Sequence, residues 1–115
     1  MRVITGTARG RVLKTLEGED VRPTTDRVKE AIFSIIQFEL EGRRVLDLFA
    51  GSGQLGIEAL SRGAAYATFT DMSAESVDIV KKNLISTKLE NRAEVIRTEA
   101  ITFLKGNRKK YDIVF

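Results

Sequence analysis

Two residue types that carry much of enzyme chemistry are missing from this 115-residue chain, which contains no cysteine and no histidine. Within these residues, their absence excludes disulfides, thiol nucleophiles, zinc sites built from cysteine and histidine, and a histidine general base. Any proton transfer would have to use aspartate, glutamate, lysine or tyrosine. We expect no metal site.

Long apolar runs and amino-terminal targeting signals are also lacking. No run approaches the roughly 20 apolar residues that cross a bilayer, and no leader with a cleavage site opens the sequence. The sequence therefore predicts a cytoplasmic protein without a membrane partner. Its length suits one domain with a real core, smaller than most complete doubly wound sheets.

Acidic residues are absent from residues 1–14, here called the basic arm, although the net charge of the chain is only +3. The basic residues of this arm are Arg2, Arg9, Arg11 and Lys14. Short β-prone runs at 3–7 and 11–13 flank a turn and predict an N-terminal β-hairpin with arginines at its tip and flank. A solvated surface strand and a nucleic-acid contact both explain the cluster, and the second is the more specific interpretation.

A glycine motif in the middle of the chain predicts a strand, a turn and a helix without a gap. The segment from Arg43 to Leu60, RRVLDLFAGSGQLGIEAL, begins with an apolar run of the length of a buried parallel strand. Gly51, Gly53 and Gly56 follow in G-x-G-x-x-G spacing, which permits a tight turn and close approach to a ligand. Any tight strand-to-helix turn also recruits glycine, so the motif alone leaves a purely structural role open.

Two aspartates near the predicted strand ends favour a nucleoside ligand. Asp47 interrupts the first strand near its carboxyl end, and Asp71 ends the next apolar stretch, where a carboxylate can bind ribose hydroxyls. Asp47 would repel a dinucleotide pyrophosphate but attract the ammonium group of a methionine moiety. The residues therefore favour S-adenosylmethionine over a dinucleotide, with helix capping or turn bonding as the structural alternative for Asp47.

The remaining segments alternate between helix and strand patterns. Beyond the glycine motif, helices are predicted at about 26–40, 73–87 and 100–104, and strands at 66–70, 93–97 and 111–115. This alternation requires an α/β fold with a parallel sheet, right-handed crossovers and a ligand at the carboxyl ends of the strands. Glu99 and Ala100 would meet the adenine there, although a glutamate at a helix start also suits the helix dipole.

Two sequence blocks, RPTTDRVKEAIFSI at 22–35 and VLDLFAGSGQLGIEALSRGA at 45–64, resemble the RsmD-type bacterial 16S rRNA guanine-N2 methyltransferases. The likeness extends from RGRVLK at 9–14 to YDIVF at 111–115. It implies a Rossmann-like S-adenosylmethionine-dependent methyltransferase fold that transfers a methyl group to the N2 amine of a guanine in 16S rRNA. The partner would be the small ribosomal subunit or its assembly intermediate, and the full-length protein would be a monomer.

Site residues follow from the patterns and the resemblance together. The predicted domains are the basic hairpin and loop at 1–21 and the methyltransferase domain at 22–115. The cofactor-binding residues are predicted to be Asp47, Phe49, Gly51, Ser52, Gly53, Asp71, Met72, Glu99 and Ala100. The residues that contact RNA are predicted to be Arg2, Arg9, Arg11, Lys14, Arg22, Thr25, Asp26 and Arg27. An aspartate is commoner in the family at the position of Glu99.

No catalytic residue is expected within these 115 residues; the resemblance places the catalytic residues just after Phe115. In similar proteins the strand YDIVF runs into an Asp-Pro-Pro-Tyr motif, which orients the amine lone pair and stacks on the flipped base. The chain stops just before that motif, so we expect a sheet that is incomplete at its C-terminus and no methyl transfer by this chain alone. The strand from Tyr111 to Phe115 would then lie at an edge and expose Ile113, Val114 and Phe115.

Two alternatives to the rRNA methyltransferase stay open from the sequence. One is a DNA or protein amino-methyltransferase with a similar sheet. The other is a catalytically silent fragment that binds RNA or cofactor.

Overall fold

The computed structural model describes the backbone of residues 1–16 and 23–115, and the side chains of these residues except 23–26. Three predicted RNA-contacting residues fall outside this description: Arg22 entirely, and Thr25 and Asp26 in their side chains. Residues 17–21 of the predicted hairpin-and-loop segment at 1–21 lie outside it as well.

Four parallel strands form one sheet in the order β3-β2-β1-β4. They are β1 (Arg44–Asp47), β2 (Tyr66–Asp71), β3 (Ala93–Arg97) and β4 (Ile113–Val114). The parallel α/β prediction is confirmed, because every strand pair in this sheet is parallel. The first strand ends at Asp47, which was predicted to lie near its carboxyl end, and the Ala50 N–H beyond it donates to the Thr70 carbonyl oxygen at 2.9 Å.

The fourth strand is shorter than the predicted strand from Tyr111 to Phe115. Its start is delayed because the Asp112 carboxylate, rather than a backbone carbonyl, accepts the Arg44 N–H at 2.9 Å. Phe115 lies just outside β4, but its N–H donates to the Leu46 carbonyl oxygen at 2.8 Å and its carbonyl oxygen accepts from the Leu48 N–H at 3.2 Å. Phe115 therefore still follows β1 to the carboxyl edge of the sheet.

The side chains around β4 are less exposed than an uncovered edge strand predicts. Phe115 is half-buried and packs on the core, and its ring centroid lies 5.6 Å from that of Phe33. Ile113 also packs on the core, whereas Val114 is 57% exposed. Exposure of all three side chains was therefore a wrong expectation, because α1 (Pro23–Ile36) supplies Phe33 as a cover for Phe115.

Three further helices accompany the strands: α2 (Gln54–Ser61), α3 (Ala74–Ser86) and α4 (Ala100–Gly106). Proline suits the first position of α1, because its missing N–H would have no intrahelical partner there. Ser73 caps α3, and its hydroxyl oxygen accepts a hydrogen bond from the Ser76 N–H at 3.3 Å. The first helix is shorter than predicted, because the Glu39 N–H turns back to the Ile36 carbonyl oxygen at 2.8 Å.

Helices lie on both faces of the sheet. The face that carries Phe69 and Val95 is covered by α2 and α3, whereas α4 lies beside Glu94 and Ile96 on the other face. The core forms between the first of these faces and the helices that cover it. The first helix, α1, contributes the fully buried Phe33. Burial of this apolar set is the main stabilising contribution to the fold.

The basic arm folds back on itself at its two ends and packs against α2, although no two-strand hairpin is formed over the predicted lengths. Arg2 and Val12 make one antiparallel bridge, flanked by hydrogen bonds from the Val3 N–H to the Arg11 carbonyl oxygen at 3.0 Å and from the Leu13 N–H to the Met1 carbonyl oxygen at 2.7 Å, and residues 1–16 contain no regular strand. The hairpin does not extend because backbone groups of the arm bond to α2, as the Thr7 N–H does to the Ser61 carbonyl oxygen at 2.9 Å. A Cβ at Gly6 would lie 1.8 Å from that same oxygen, so only glycine permits this contact.

A buried carboxylate on α2 anchors the arm. Glu58 accepts hydrogen bonds from the N–H groups of Ile4 and Thr5 at 2.8 and 3.0 Å. It also pairs with the Lys29 ammonium at 3.1 Å and with the Arg62 guanidinium at 3.0 Å. The two oxygens therefore accept from four donors, which compensates for the loss of water around a fully buried charge.

Candidate functional site

Three strands end along one edge of the sheet, and the chain turns there after each of them. Asp47 closes β1, Asp71 closes β2, and Glu99 follows β3 immediately before α4. The parallel register brings these ends together, because Asp47 pairs with Phe69 and Asp71 pairs with Arg97. Acidic residues from three separate segments therefore lie at the carboxyl edge, where the strand pattern predicts a ligand.

The loop from β1 to α2 is shaped by glycines in left-handed conformations. Gly51 has a φ of 58° and Gly53 a φ of 81°, values that residues with a side chain rarely adopt. The Gly53 N–H donates to the Ala50 carbonyl oxygen at 2.8 Å, and the Gly53 carbonyl oxygen accepts from the Ile57 N–H at 2.9 Å. The chain thus enters α2 within a few residues of leaving β1.

The third glycine of the motif lets α2 lie close to β2. A Cβ at Gly56 would lie 2.4 Å from Cε2 of Phe69, well inside van der Waals contact. Gly56 also donates its N–H to Oδ2 of Asp47 at 3.1 Å. This glycine therefore serves helix packing and orients the buried aspartate.

Asp71 organises the edge through both of its oxygens. Oδ2 accepts a hydrogen bond from the Gly51 N–H at 3.0 Å, and Oδ1 accepts one from the Ser73 N–H at 2.9 Å. Each carboxylate oxygen can accept a further hydrogen bond, and the side chain is partly exposed. Asp71 therefore keeps acceptor capacity for the hydroxyl groups of a ligand.

Asp47 is a buried residue whose carboxyl group has a raised pKa. Burial raises the pKa of Asp47 to about 7; the hydrogen bond from Gly56 opposes this rise, and the charge of Asp71 adds to it. Both protonation states are therefore populated near neutral pH. A cation placed nearby would favour the ionised form, whereas an anion would meet added repulsion.

A cleft of about 400 Å³ opens beside Asp71 at this edge. Its lining includes five of the predicted cofactor residues: Phe49, Asp71, Met72, Glu99 and Ala100. Leu48, Thr98 and Ile101 complete the lining, which makes the cleft largely apolar with two carboxylates. The other predicted cofactor residues, Asp47, Gly51, Ser52 and Gly53, lie at the end of β1 and in the glycine loop rather than in this lining.

Gln54 begins α2 and carries a buried oxygen that lacks a partner. Among the described residues, nothing donates a hydrogen bond to its Oε1. Buried polar atoms are normally paired, so an unpaired acceptor next to a glycine loop is consistent with a donor that comes from a ligand. Gln54 was not among the site residues predicted from the sequence.

Ser52 and the basic arm both contact α3 through Asn83. The Asn83 Nδ2 donates to the carbonyl oxygens of Ser52 and Lys14, each at 2.9 Å, and Oδ1 accepts from the Lys14 N–H at 2.8 Å. Ser52 itself is buried. The hydrogen bond from Asn83 to the Ser52 carbonyl oxygen therefore helps to hold the conformation of the glycine loop.

The basic residues predicted to contact RNA lie on the surface. Arg2, Arg9, Arg11, Lys14 and Arg27 are all exposed. Arg2 also donates from Nη1 to the Gly10 carbonyl oxygen at 3.2 Å, while the backbone of the arm is held by α2. The arm therefore presents its positive charges from a segment that is held to α2 at Ile4 and Thr5.

The buried polar residues Lys29, Glu58 and Asn83 were not predicted from the sequence. Each lies among apolar neighbours on its helix, as Asn83 does one turn after the buried Val80. A polar side chain in an apolar stripe indicates a buried partner. The Glu58 bond to Ile4 spans 54 residues and the Asn83 bond to Lys14 spans 69, so local spacing could not identify those partners.

Two further features concern only the part of the chain that the structure describes. No helix there is long and apolar enough to cross a membrane. No group of three or more acidic side chains there is arranged to hold a metal ion.

The whole chain is similar in sequence to a methyltransferase from Haemophilus influenzae. The chain is 43% identical over 118 residues to "Ribosomal RNA small subunit methyltransferase D" of Haemophilus influenzae, and the match covers 100% of this chain and 61% of the relative. The chain thus spans about 60% of the length of the curated relatives it matches.

Solved structures share the fold. The structure of yhhF from Escherichia coli superposes with a TM-score of 0.88 at 37% identity, covering 100% of this chain and 61% of that one. A SAM-dependent methyltransferase from Agrobacterium tumefaciens superposes with a TM-score of 0.68 at 24% identity, covering 82% of this chain and 31% of that one. The second likeness shows the fold alone, which is the α/β fold of methyltransferases.

A family model decides the membership of the chain. The model described as "Conserved hypothetical protein 95" matches residues 1–115, which is the whole sequence. The relative from Haemophilus influenzae agrees with the resemblance drawn from the two sequence blocks. The chain therefore belongs to the Conserved hypothetical protein 95 family, and its predicted likeness to the RsmD-type methyltransferases is confirmed.

Proposed function

We propose that this chain supplies the cofactor-binding part and an RNA-contacting arm of an S-adenosylmethionine-dependent methyltransferase. The methyl acceptor would be the N2 amine of a guanine in 16S rRNA, within the small ribosomal subunit or its assembly intermediate. The observation that carries the proposal is the edge where Asp47, the glycine loop, Asp71 and Glu99 meet. The name of the relative from Haemophilus influenzae supports the RNA substrate.

The residues at the carboxyl edge fit a cationic nucleoside cofactor. S-adenosylmethionine would supply a methyl group on a positively charged sulfur, together with an ammonium group. Three acidic side chains, those of Asp47, Asp71 and Glu99, lie at this edge. Burial disfavours the ionised form of Asp47 and raises its pKa, so a nearby cation would stabilise the carboxylate. The unpaired Oε1 of Gln54 adds a buried acceptor, whereas a pyrophosphate offers only acceptors and negative charge.

Individual residues have separate roles in this proposal. Asp71 accepts hydrogen bonds from the ribose hydroxyls with the capacity left over from Gly51 and Ser73. Glu99 and Ala100 lie in the cleft beside Asp71 and would face the adenine, with Phe49 and Met72 as apolar contacts. Asp47, Gly51, Ser52 and Gly53 form the methionine end of the site.

The catalytic residues of the whole protein would follow Phe115. The backbone of Phe115 bonds to Leu46 and to Leu48, which lie on either side of Asp47 in the sequence. A motif that begins after Phe115 would therefore start next to the methionine end of the site, where the methyl group leaves the sulfur. This placement supports the proposal that the amine-orienting residues lie there.

RNA would be bound by charges outside the cleft. The exposed side chains of the basic arm and of Arg27 can contact phosphates, which attract cations independently of sequence. We propose residues 1–21 as the RNA-contacting region and residues 22–115 as the methyltransferase domain. The packing of the arm on α2 supports this division, because it holds the arm against the domain that binds cofactor.

The decisive experiment uses a chimera. Residues 1–115 replace the matching residues of the Haemophilus influenzae relative, and mass spectrometry of the small-subunit rRNA locates any methylated guanine. We expect N2-methylguanine, and we expect the Asp71→Ala chimera to lose most of it. A folded chimera that binds S-adenosylhomocysteine but yields no N2-methylguanine would overturn the proposal.

A binding experiment on the chain itself tests the cofactor directly. Calorimetry should detect S-adenosylhomocysteine binding and no comparable binding of NAD. A cooperatively folded chain that prefers NAD would refute the cofactor assignment.

A further inference from the structure

Asn83 links the basic arm to the glycine loop through a single side chain. Its Nδ2 donates to both the Lys14 and Ser52 carbonyl oxygens at 2.9 Å, while its Oδ1 accepts from the Lys14 N–H at 2.8 Å. The residue is only 1% exposed, so water does not compete for these bonds.

The planar carboxamide makes this link rigid. Lys14 is held at two points, through its N–H and its carbonyl oxygen, so a shift of its backbone must rotate or displace the amide. The remaining Nδ2 hydrogen points at Ser52, which lies between Gly51 and Gly53 in the loop. A displacement of Lys14 would therefore change the bond that holds the loop.

A second contact joins the same two regions. The Leu16 Cδ1 atom lies 3.9 Å from the point where a Cβ on Gly51 would stand. On the other side of the loop, Val80 of α3 lies within 3.1 Å of the corresponding point on Gly53. The loop thus lies near both α3 and the segment that continues the arm, and Asn83 of α3 bonds to the arm and to the loop.

We propose that Asn83 is a positioning residue that couples RNA contact at the basic arm to cofactor binding at the glycine loop. The inference rests on the proposed function, because it requires both ligands. Phosphates bound by Lys14 and its neighbours would fix the Lys14 backbone, and the carboxamide would then hold Ser52 and its flanking glycines in the binding conformation. By linkage, the cofactor strengthens RNA binding by the same factor.

The test measures this coupling by calorimetry. The affinity of the chain for S-adenosylhomocysteine is determined with and without a saturating small-subunit rRNA transcript, at constant salt. We expect RNA to raise that affinity about five-fold or more in the wild type. In Asn83→Ala the ratio should fall to about one, although each ligand alone still binds.

A matched control separates coupling from stability. Leu84 is the next residue of α3, is 2% exposed, and belongs to the hydrophobic core. Leu84→Ala should lower the melting temperature and leave the affinity ratio at its wild-type value. If Asn83→Ala does not melt cooperatively, Asn83→Leu keeps the volume of the side chain and removes the same three bonds.

The outcomes distinguish this inference from the proposed function. A wild-type ratio of one, or an unchanged ratio in a folded Asn83 variant, would overturn the coupling while leaving the methyltransferase proposal intact. A folded wild-type chain that does not bind S-adenosylhomocysteine would overturn the proposed function, and the coupling with it.

Discussion

Asp71 Oδ2 lies 3.0 Å from the backbone nitrogen of Gly51, so the residue that ends β2 fixes the loop that follows β1. The same carboxylate holds the Ser73 N–H at the start of α3. Two loops are thus fastened to one side chain that also lines the cleft. A ligand that bonds to Asp71 would meet a carboxylate whose orientation is already fixed, which lowers the entropic cost of binding.

The first prediction concerns this aspartate. Asp71→Ala removes a charged acceptor of two backbone bonds and of the proposed ribose bonds. Loss of such bonds should cost on the order of 2 to 4 kcal/mol, which corresponds to a roughly 30- to 1,000-fold weaker affinity. Calorimetry with S-adenosylhomocysteine measures the change.

Asp78→Ala is the control for Asp71→Ala. Asp78 is an exposed carboxylate on α3 that pairs with Lys82 at 2.8 Å, so this variant makes the same change of charge away from the cleft. It should bind the ligand like the wild type. Equal affinity in Asp71→Ala and the wild type would refute the ribose assignment.

The second prediction follows from the raised pKa of Asp47. The folded pKa is about 7 and the ordinary value is 3.8, so the folded state binds a proton more tightly than the unfolded state. The stabilising contribution is complete below pH 3.8, declines as pH rises to about 7, and is constant above that. The decline is about 1.4 kcal/mol per pH unit and about 4 kcal/mol in all.

Asp47→Asn removes this titration, because its amide stays neutral and can still accept from the Gly56 N–H. Urea unfolding at pH 5, 6, 7 and 8 should show the variant gaining stability relative to the wild type up to pH 7. The relative gain between pH 5 and 7 should be about 2 kcal/mol. A constant difference between the two proteins across this range would mean that Asp47 titrates as an ordinary aspartate.

Local features of the fold were predictable from the sequence because their causes are local. Ser73 caps α3 through a bond to a residue three positions later, and Gly56 occupies the motif position that packs against a strand. The parallel sheet follows in the same way from alternating strand and helix patterns. These features need no knowledge of distant partners.

Features that depend on distant partners were missed. The predicted pairing of the β-prone arm with itself is limited to its two ends, because Glu58 and Ser61 of α2, 53 to 56 residues away, bond to the backbone of residues 4, 5 and 8. The cover that Phe33 gives to Phe115 likewise joins two distant segments.

The third prediction tests the anchor of the arm. Glu58→Gln leaves the buried Lys29 ammonium without its carboxylate, and an uncompensated buried charge should lower the free energy of unfolding by about 3 to 5 kcal/mol. Adding Lys29→Met should recover part of this loss, since the unpaired cation is then gone. Urea unfolding of the two single variants and the double variant measures both terms; an additive result would rule out direct coupling of the pair.

The fourth prediction compares two glycines. Gly56→Ala places a Cβ 2.4 Å from Phe69, and the forced shift of this buried ring should cost about 1 to 3 kcal/mol. Gly106 ends α4 with nothing within 4 Å of its Cβ position, so Gly106→Ala should be neutral or stabilising by up to about 1 kcal/mol. Thermal and urea unfolding should show that Gly56→Ala is destabilised and Gly106→Ala is not, and equal destabilisation of both variants would contradict the packing of Gly56 against Phe69.

The last prediction concerns the exposed arginines of the basic arm. Replacing Arg9 and Arg11 together with alanine should weaken binding of small-subunit rRNA and leave affinity for S-adenosylhomocysteine unchanged. Each lost phosphate contact should flatten the slope of log affinity against log salt by about 0.7 to 0.9. Filter binding at several salt concentrations gives this slope, and two lost contacts should reduce it by about 1.5.

A charge-matched control decides whether the position of the arginines matters. Arg108 and Lys110 are exposed residues of the basic turn between α4 and β4, so replacing both with alanine removes the same charge from another part of the surface. Only the arm variant should flatten the slope, because phosphate contacts act over short distances whereas net charge acts on the whole molecule. An unchanged slope in the arm variant would mean that Arg9 and Arg11 are merely solvated, and equal flattening in both variants would mean that RNA senses net charge alone.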